Sequence, residues 1–155
     1  MDLVLLDIKL IDSKEHEKFT GVSNDTILEN GIWMLKHLKE HNKNMWIRTP
    51  VIPHYTATDY IIKGIGEFIV NKLNNFPERW DLLAFNNLCA SKYERLNLEW
   101  PLKDEPLMNK QEMERLFEIA KSTGVKNVHW SGLTKRIESE SINSQKIKES
   151  KSPAC

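Results

Sequence analysis

Asp7 and Lys9 close the stretch D-L-V-L-L-D-I-K at residues 2–9. Strand side chains alternate between faces, so this spacing puts a carboxylate and an ammonium on one side and Ile8 on the other. Polar groups recur at the ends of later apolar runs: Arg48 and Thr49, then Asn86 and Asn87, then His129. If these runs are parallel strands, their carboxyl ends share one rim, which is where α/β folds place ligands. There Arg48 offers a planar fork for a carboxylate, and Lys9 adds a point charge for the same anion. Asp7 could hold a cation or a ligand amine. The competing expectation is a structural ion pair of Asp7 with Arg48 or Lys9.

The elements that must position these groups follow from pattern. The unbroken apolar run Leu3 to Leu6 predicts a strand buried on both faces. Asp12 or Ser13 can cap a helical turn over Ser13–Phe19, closed by Gly21. Asn24 or Asp25 can cap a longer helix, in which Ile27, Leu28, Ile32, Leu35 and Leu38 recur at helical spacing. Met45–Ile52, stopped by Pro53, reads as the second strand, and two strands joined by a helix imply a right-handed βαβ unit. A helix over Asp59–Leu73 carries Gly64 and Gly66, which lack the GxGxxG spacing of a phosphate cradle and point to close helix packing. Trp80–Phe85 is the third strand, and a short helical piece over Ser91–Leu96 follows. Asn109 then caps a helix running to Lys121, Gly124 stops it, and Val125–Trp130 is the fourth strand. The resulting order, β-αα-β-α-β-α-β, is an α/β fold with about four parallel strands. It is either a small doubly wound sheet or part of an α/β barrel. Residues 1–133 form the folded region. From residue 134 to 155 the chain is Ser, Lys, Glu, Asn and Gln with few apolar groups, which predicts a disordered polar tail.

Composition excludes several functions. Twenty-two basic residues balance twenty-two acidic ones among 155, so no global field draws nucleic acid or an anionic membrane. No apolar run approaches the roughly 20 residues of a membrane helix, and the expected location is the cytoplasm. Cys89 and Cys155 are isolated thiols without metal-ligand spacing. His16, His37 and His41 are expected to be solvated on helix faces and lack the HExxH arrangement. His54 follows Pro53 in the loop after the second strand and is expected on the surface. The five tryptophans, scattered and not interleaved with runs of basic residues, are expected to pack rather than stack on bases.

Five stretches carry a resemblance: D-L-V-L-L-D-I-K (2–9), H-E-K-F-T-G-V-S-N (16–24), W-I-R-T-P-V-I-P (46–53), L-L-A-F-N-N-L (82–88) and K-Y-E-R-L (92–96). In order and spacing, over about residues 2–130, the chain resembles the C-terminal half of radical S-adenosylmethionine enzymes that activate glycyl radical enzymes, of the pyruvate formate-lyase activase type. The resemblance implies half of a partial (β/α)6 barrel in anaerobic metabolism. It implies a 4Fe-4S cluster and S-adenosylmethionine, which together generate a 5′-deoxyadenosyl radical, and a glycyl radical enzyme as the protein substrate whose glycine loses a hydrogen atom. By position, Asp7 would lie beside the methionine part of the cofactor and a monovalent cation site. Lys9, Arg48 and Asn86 would contact the cofactor.

The sequence departs from that family in four places. The CxxxCxxC motif for the cluster and the Gly-Gly-Glu strand end are absent, Asn86 stands where the pyruvate formate-lyase activase has a histidine, and His54 stands where glycine is usual. The expectation is therefore a C-terminal fragment whose N-terminal half supplies the cluster ligands, with no catalytic residue and no iron–sulfur ligand of its own. Two alternatives stand beside it: a non-catalytic docking module for a glycyl radical enzyme, and a small α/β protein that binds a carboxylate metabolite through Asp7, Lys9 and Arg48.

Overall fold

The computed structural model describes residues 2–135. Along the chain come β1 (Leu3–Asp7), α1 (Ser13–Thr20), α2 (Asp25–Glu40), β2 (Asn44–Val51), α3 (Asp59–Asn71), β3 (Arg79–Ala84), α4 (Ala90–Arg95), α5 (Lys110–Ser122) and β4 (Val128–Ser131). The four strands form one parallel sheet in the order β1-β2-β3-β4. Every crossover therefore steps one strand in the same direction. Right-handed connections then place all the crossover helices on one side, which rules out double winding.

That covered side holds the core. Val4, Met45, Ile47, Val51, Trp80, Leu82 and Ala84 from the strands pack with Ile61, Ile62, Ile65 and Ile69 of α3 and Met113, Leu116 and Ala120 of α5. Each fully buried aliphatic side chain contributes about 1.5–3 kcal/mol, so the apolar stripes of α3 and α5 suffice to hold them on the sheet. Gly31 of α2 meets the strands most closely, since a Cβ there would sit 3.0 Å from Leu6 Cδ2.

Capping follows side-chain chemistry. Asp12 accepts from Glu15 N–H and starts α1, Thr58 accepts from Ile61 N–H at α3, and Asn109 accepts from Gln111 N–H at α5. Gly21 ends α1 in the left-handed region, φ 82°. Asn24 occupies the cap position of α2 without capping it. Its side-chain amide instead donates to the carbonyls of Leu10 and Ile11, fastening the β1 loop to α2. Pro50 lies within β2 without breaking the sheet. Ile8 N–H bonds Arg48 carbonyl as β1 ends, so the missing N–H of Pro50 faces a side where that ladder has stopped.

Several expectations need correction. β1 is not buried on both faces. It is an edge strand whose Leu3 and Leu5 are 36% and 47% exposed, because all the helices lie on the side of Val4. Ile32 leaves the apolar stripe of α2 and is exposed, as the core face runs through Gly31, Leu35 and Leu38. β4 begins at Val128 rather than Val125. Val125 is buried in the core before the strand, and Asn127 carbonyl accepts from Trp80 N–H as the ladder opens. Of the tail expected from residue 134, Lys135 N–H bonds the Met108 carbonyl, and residues 136–155 lie outside the described residues.

Candidate site on the open sheet face

The strand register lines up one polar row across the uncovered face. Asp7 pairs with Arg48, Arg48 with Asp81, and Asp81 with His129. Within it Arg48 Nε donates to Asp7 Oδ1 at 2.8 Å, with both side chains about two-fifths exposed. Asp81, by contrast, is buried, and the guanidinium of Arg79 closes on its Oδ1 through Nε at 2.7 Å and Nη2 at 2.6 Å. That guanidinium also lies 4.8 Å from the ring of Trp46, whose Nε1 donates to Glu78. Two arginines thus alternate with two carboxylates on adjacent strands, a pattern that leaves little net charge on the face. Geometry decides which cation remains available. Arg79 offers two nitrogens to its carboxylate, whereas Arg48 offers only Nε, leaving both Nη groups without a partner among the described residues.

The other expected rim residues separate. Thr49 does not reach the rim. Strand alternation turns it to the covered side, where it is fully buried, donates to Ile8 carbonyl and accepts from Trp80 Nε1. Asn86 Oδ1 accepts from Leu88 N–H, and Asn87 bonds Trp100 Nε1 and the carbonyls of Lys103 and Glu105, so Asn87 serves the loop after β3. His129 is exposed and bonds Asn127 Oδ1. Lys9 lies beyond the end of β1 and lines a cavity with Phe19, Tyr55, Tyr93 and Trp100. No hydrogen bond among the described residues joins Lys9 or Asn86 to the Asp7–Arg48 pair.

Sequence reading missed Arg79 and Asp81. Their signal is the i, i+2 spacing of opposite charges in a strand, which puts both on one face, but Arg79 lies one residue before the expected strand Trp80–Phe85. His16 was also misread. It is buried, with Nδ1 at 2.8 Å from Val22 carbonyl and 2.9 Å from Thr20 Oγ1, because the chain doubles back at Gly21 over α1. His54 is on the surface as expected, adopts φ 61° and stands 3.4 Å from Glu105. Trp33, expected to pack, is 68% exposed and stacks on His37, whose ring in turn meets His41, both histidines on the surface. Among the described residues, no group of three or more His, Cys, Asp or Glu side chains is placed to hold a metal ion. No helix among them is long and apolar enough to cross a membrane.

No protein-family model matches the chain. It is 32% identical over 118 residues to the choline trimethylamine-lyase activating enzyme of Oleidesulfovibrio alaskensis, covering 75% of this chain and 36% of that protein. It is 35% identical over 127 residues to the indoleacetate decarboxylase activating enzyme of Tractidigestivibacter scatoligenes, covering 81% and 38%. Against the pyruvate formate-lyase-activating enzyme of Clostridium pasteurianum the figures are 32% over 120 residues, 77% and 48%. The chain thus spans less than half the length of these curated relatives. Its fold is similar to the crystal structure of a domain of a pyruvate-formate lyase-activating enzyme from Bacteroides vulgatus. The TM-score is 0.59 over 84% of this chain and 68% of that one, at 24% identity, which is a likeness of fold.

Proposed function

We propose, on the footing that this chain belongs with the glycyl radical enzyme activating enzymes, its homologues over about three quarters of its length, that it forms the C-terminal part of such an activase. The complete enzyme would use S-adenosylmethionine and a 4Fe-4S cluster to take a hydrogen atom from a glycine of its partner enzyme. The observation that supports a cofactor-holding role is the half-exposed Arg48, anchored to Asp7 through Nε with both Nη groups left for an anion.

The residues at hand fit one cofactor and not the other. Cys89 is an exposed free thiol, and the described residues hold no three-ligand constellation, so the iron–sulfur cluster does not fit them. Its ligands are assigned to a preceding segment of the complete enzyme. S-adenosylmethionine fits better, because its carboxylate suits the free Nη fork of Arg48 and the ammonium of Lys9. Asp7 orients that fork and keeps one oxygen for the sulfonium side or a monovalent cation. Asn86 offers its amide N–H groups, its Oδ1 being taken by Leu88. The chemistry the bound cofactors supply is hydrogen-atom abstraction, while these residues bind and orient. The uncovered sheet face fits half of a partial barrel closed by further strands.

The test joins this chain to an upstream segment bearing CxxxCxxC and Gly-Gly-Glu and reduces the product anaerobically with S-adenosylmethionine. 5′-Deoxyadenosine should form, and Arg48→Gln should raise KM for S-adenosylmethionine about tenfold or more, the loss of one charge-assisted contact. Unchanged KM in Arg48→Gln, or no 5′-deoxyadenosine from the joined protein, would overturn the assignment. A second reading, favoured by the lack of a three-ligand constellation among the described residues, is a docking module that binds a glycyl radical enzyme without activating it. Stable co-purification with such an enzyme, without iron, would select it.

A further inference from the structure

The C-terminal half of α2 carries three aromatic rings in a column on its solvent side. Trp33 and His37 stack with centroids 5.8 Å apart and planes inclined by only 6°, and the His41 ring lies 4.2 Å from that of His37. All three residues are exposed. Four-residue spacing on a helix puts His37 and His41 on one face, one turn apart. Trp33 backs His37 from the preceding turn.

The tautomer of His41 follows from its bonding. Its Nδ1 stands 2.8 Å from the His37 carbonyl oxygen. A carbonyl oxygen only accepts, so Nδ1 is the donor and the lone pair of a neutral His41 ring lies on Nε2. Metal-bound imidazoles have this arrangement, with one nitrogen donating to a carbonyl and the other ligating. The helix end itself favours a cation. α2 runs for 16 residues to Glu40, with His41 as its C-cap, and the carbonyl end of such a helix carries roughly half a negative charge. Lys39, between the two histidines in sequence, lies on another side of the helix with its ammonium 5.5 Å from the Phe76 ring.

We propose that His37 and His41 chelate one late first-row divalent cation, with Zn²⁺ as the representative ion and water completing its coordination. Imidazole nitrogen suits zinc, copper and nickel, whereas magnesium and calcium take oxygen. His41 shortly precedes Asn44, the first residue of β2, so the pair lies at the amino ends of the strands. Lys9 and the end of β1 are at the opposite end of the sheet. The site therefore stands independently of the activase reading.

The test uses the full chain carrying Cys89→Ser and Cys155→Ser, so that no thiol competes for the metal. Zn²⁺ is titrated at mildly alkaline pH while the imidazole resonances, assigned with His37→Gln and His41→Gln, are followed. Those of His37 and His41 should shift together and saturate at one Zn²⁺ concentration, and Mg²⁺ should move neither. His41→Gln should weaken Zn²⁺ binding at His37 about tenfold or more, the loss of the second tethered ligand. Combining Lys39→His with His41→Gln keeps two histidines close in sequence but off a shared face, and binding should stay as weak as in His41→Gln alone. Saturation of His37 and His41 at different Zn²⁺ concentrations would overturn the proposal. So would unchanged affinity at His37 in His41→Gln, or tight binding restored by Lys39→His.

Discussion

Arg115 of α5 bonds Glu112 on its own helix and Asp59 at the start of α3, clamping two helices through one guanidinium. Hydrogen bonds from Arg115 hold both carboxyls below their ordinary values. A depressed carboxyl pKa stabilises the fold above the unfolded value and loses that contribution as pH falls through the folded one. Wild-type protein should therefore exceed Arg115→Met in urea midpoint at neutral pH, and the gap should close as pH drops below the usual carboxylate range. Urea titrations from neutral to acid pH check this, and a gap that stays constant would show the clamp to be packing alone. Because the pair is solvent-facing, the gap should be small. At this scale the sequence was legible wherever chemistry and strand alternation agreed. Asp7 and Arg48 do meet, as one of the weighed expectations had it. Thr49 and Asn87 failed because a polar residue at a strand end can equally turn inward to satisfy backbone, as both do. His16 failed because its partner, the carbonyl of Val22, is supplied by a reversal of the chain that side-chain pattern does not encode.

Between elements, the tightest contact is α3 against the end of α5. A Cβ on Gly66 would stand 2.3 Å from Thr123 Oγ1, 2.6 Å from its Cγ2 and 2.7 Å from its Cβ. Gly66→Ala should therefore cost about 1–3 kcal/mol through overpacking, although alanine is the better helix former. Thr123→Ala in the same chain should recover only part of that cost, since it removes Oγ1 and Cγ2 but leaves the Thr123 Cβ position at 2.7 Å. Chemical denaturation of the single and double variants reads both effects. Helices were legible here because their stripes are long: Ile61, Ile62, Ile65 and Ile69 recur over more than two turns and all are buried. The shortest element, β4 at four residues, was misplaced by three at its start. Val125 is apolar because it enters the core ahead of the strand, and no local signal distinguishes that from a first strand residue. Asn24 shows the same limit, since its cap position was legible but its bonds to Leu10 and Ile11 depend on where β1 ends in space.

For the molecule as a whole, the decisive property is that the described residues cover one face of the sheet and not the other. Leu3 and Leu5 are exposed there beside the partly exposed Trp46 and Leu83. Such a surface favours association and dye binding. The isolated chain should bind an anilinonaphthalene dye or self-associate in sedimentation. Leu5→Lys should reduce either signal, with little loss of stability because the side chain is already half in water. A dye-free monomer before and after that substitution would mean the face is not adhesive. The alternation of strands and helices was legible at this scale because each apolar run has its own period. Which face stays open was not, because an unbroken apolar run such as Leu3–Leu6 reads as two-sided burial whether or not a second layer exists. The strictly sequential order β1-β2-β3-β4 has a genealogical consequence. Each strand–helix unit is threaded only against its predecessor in the sheet, so units can be gained or lost at the free β1 or β4 edge without rerouting the rest. Duplication, fission and fusion of genes can then act on this architecture one unit at a time, with the joints falling in loops and the existing ladders left intact.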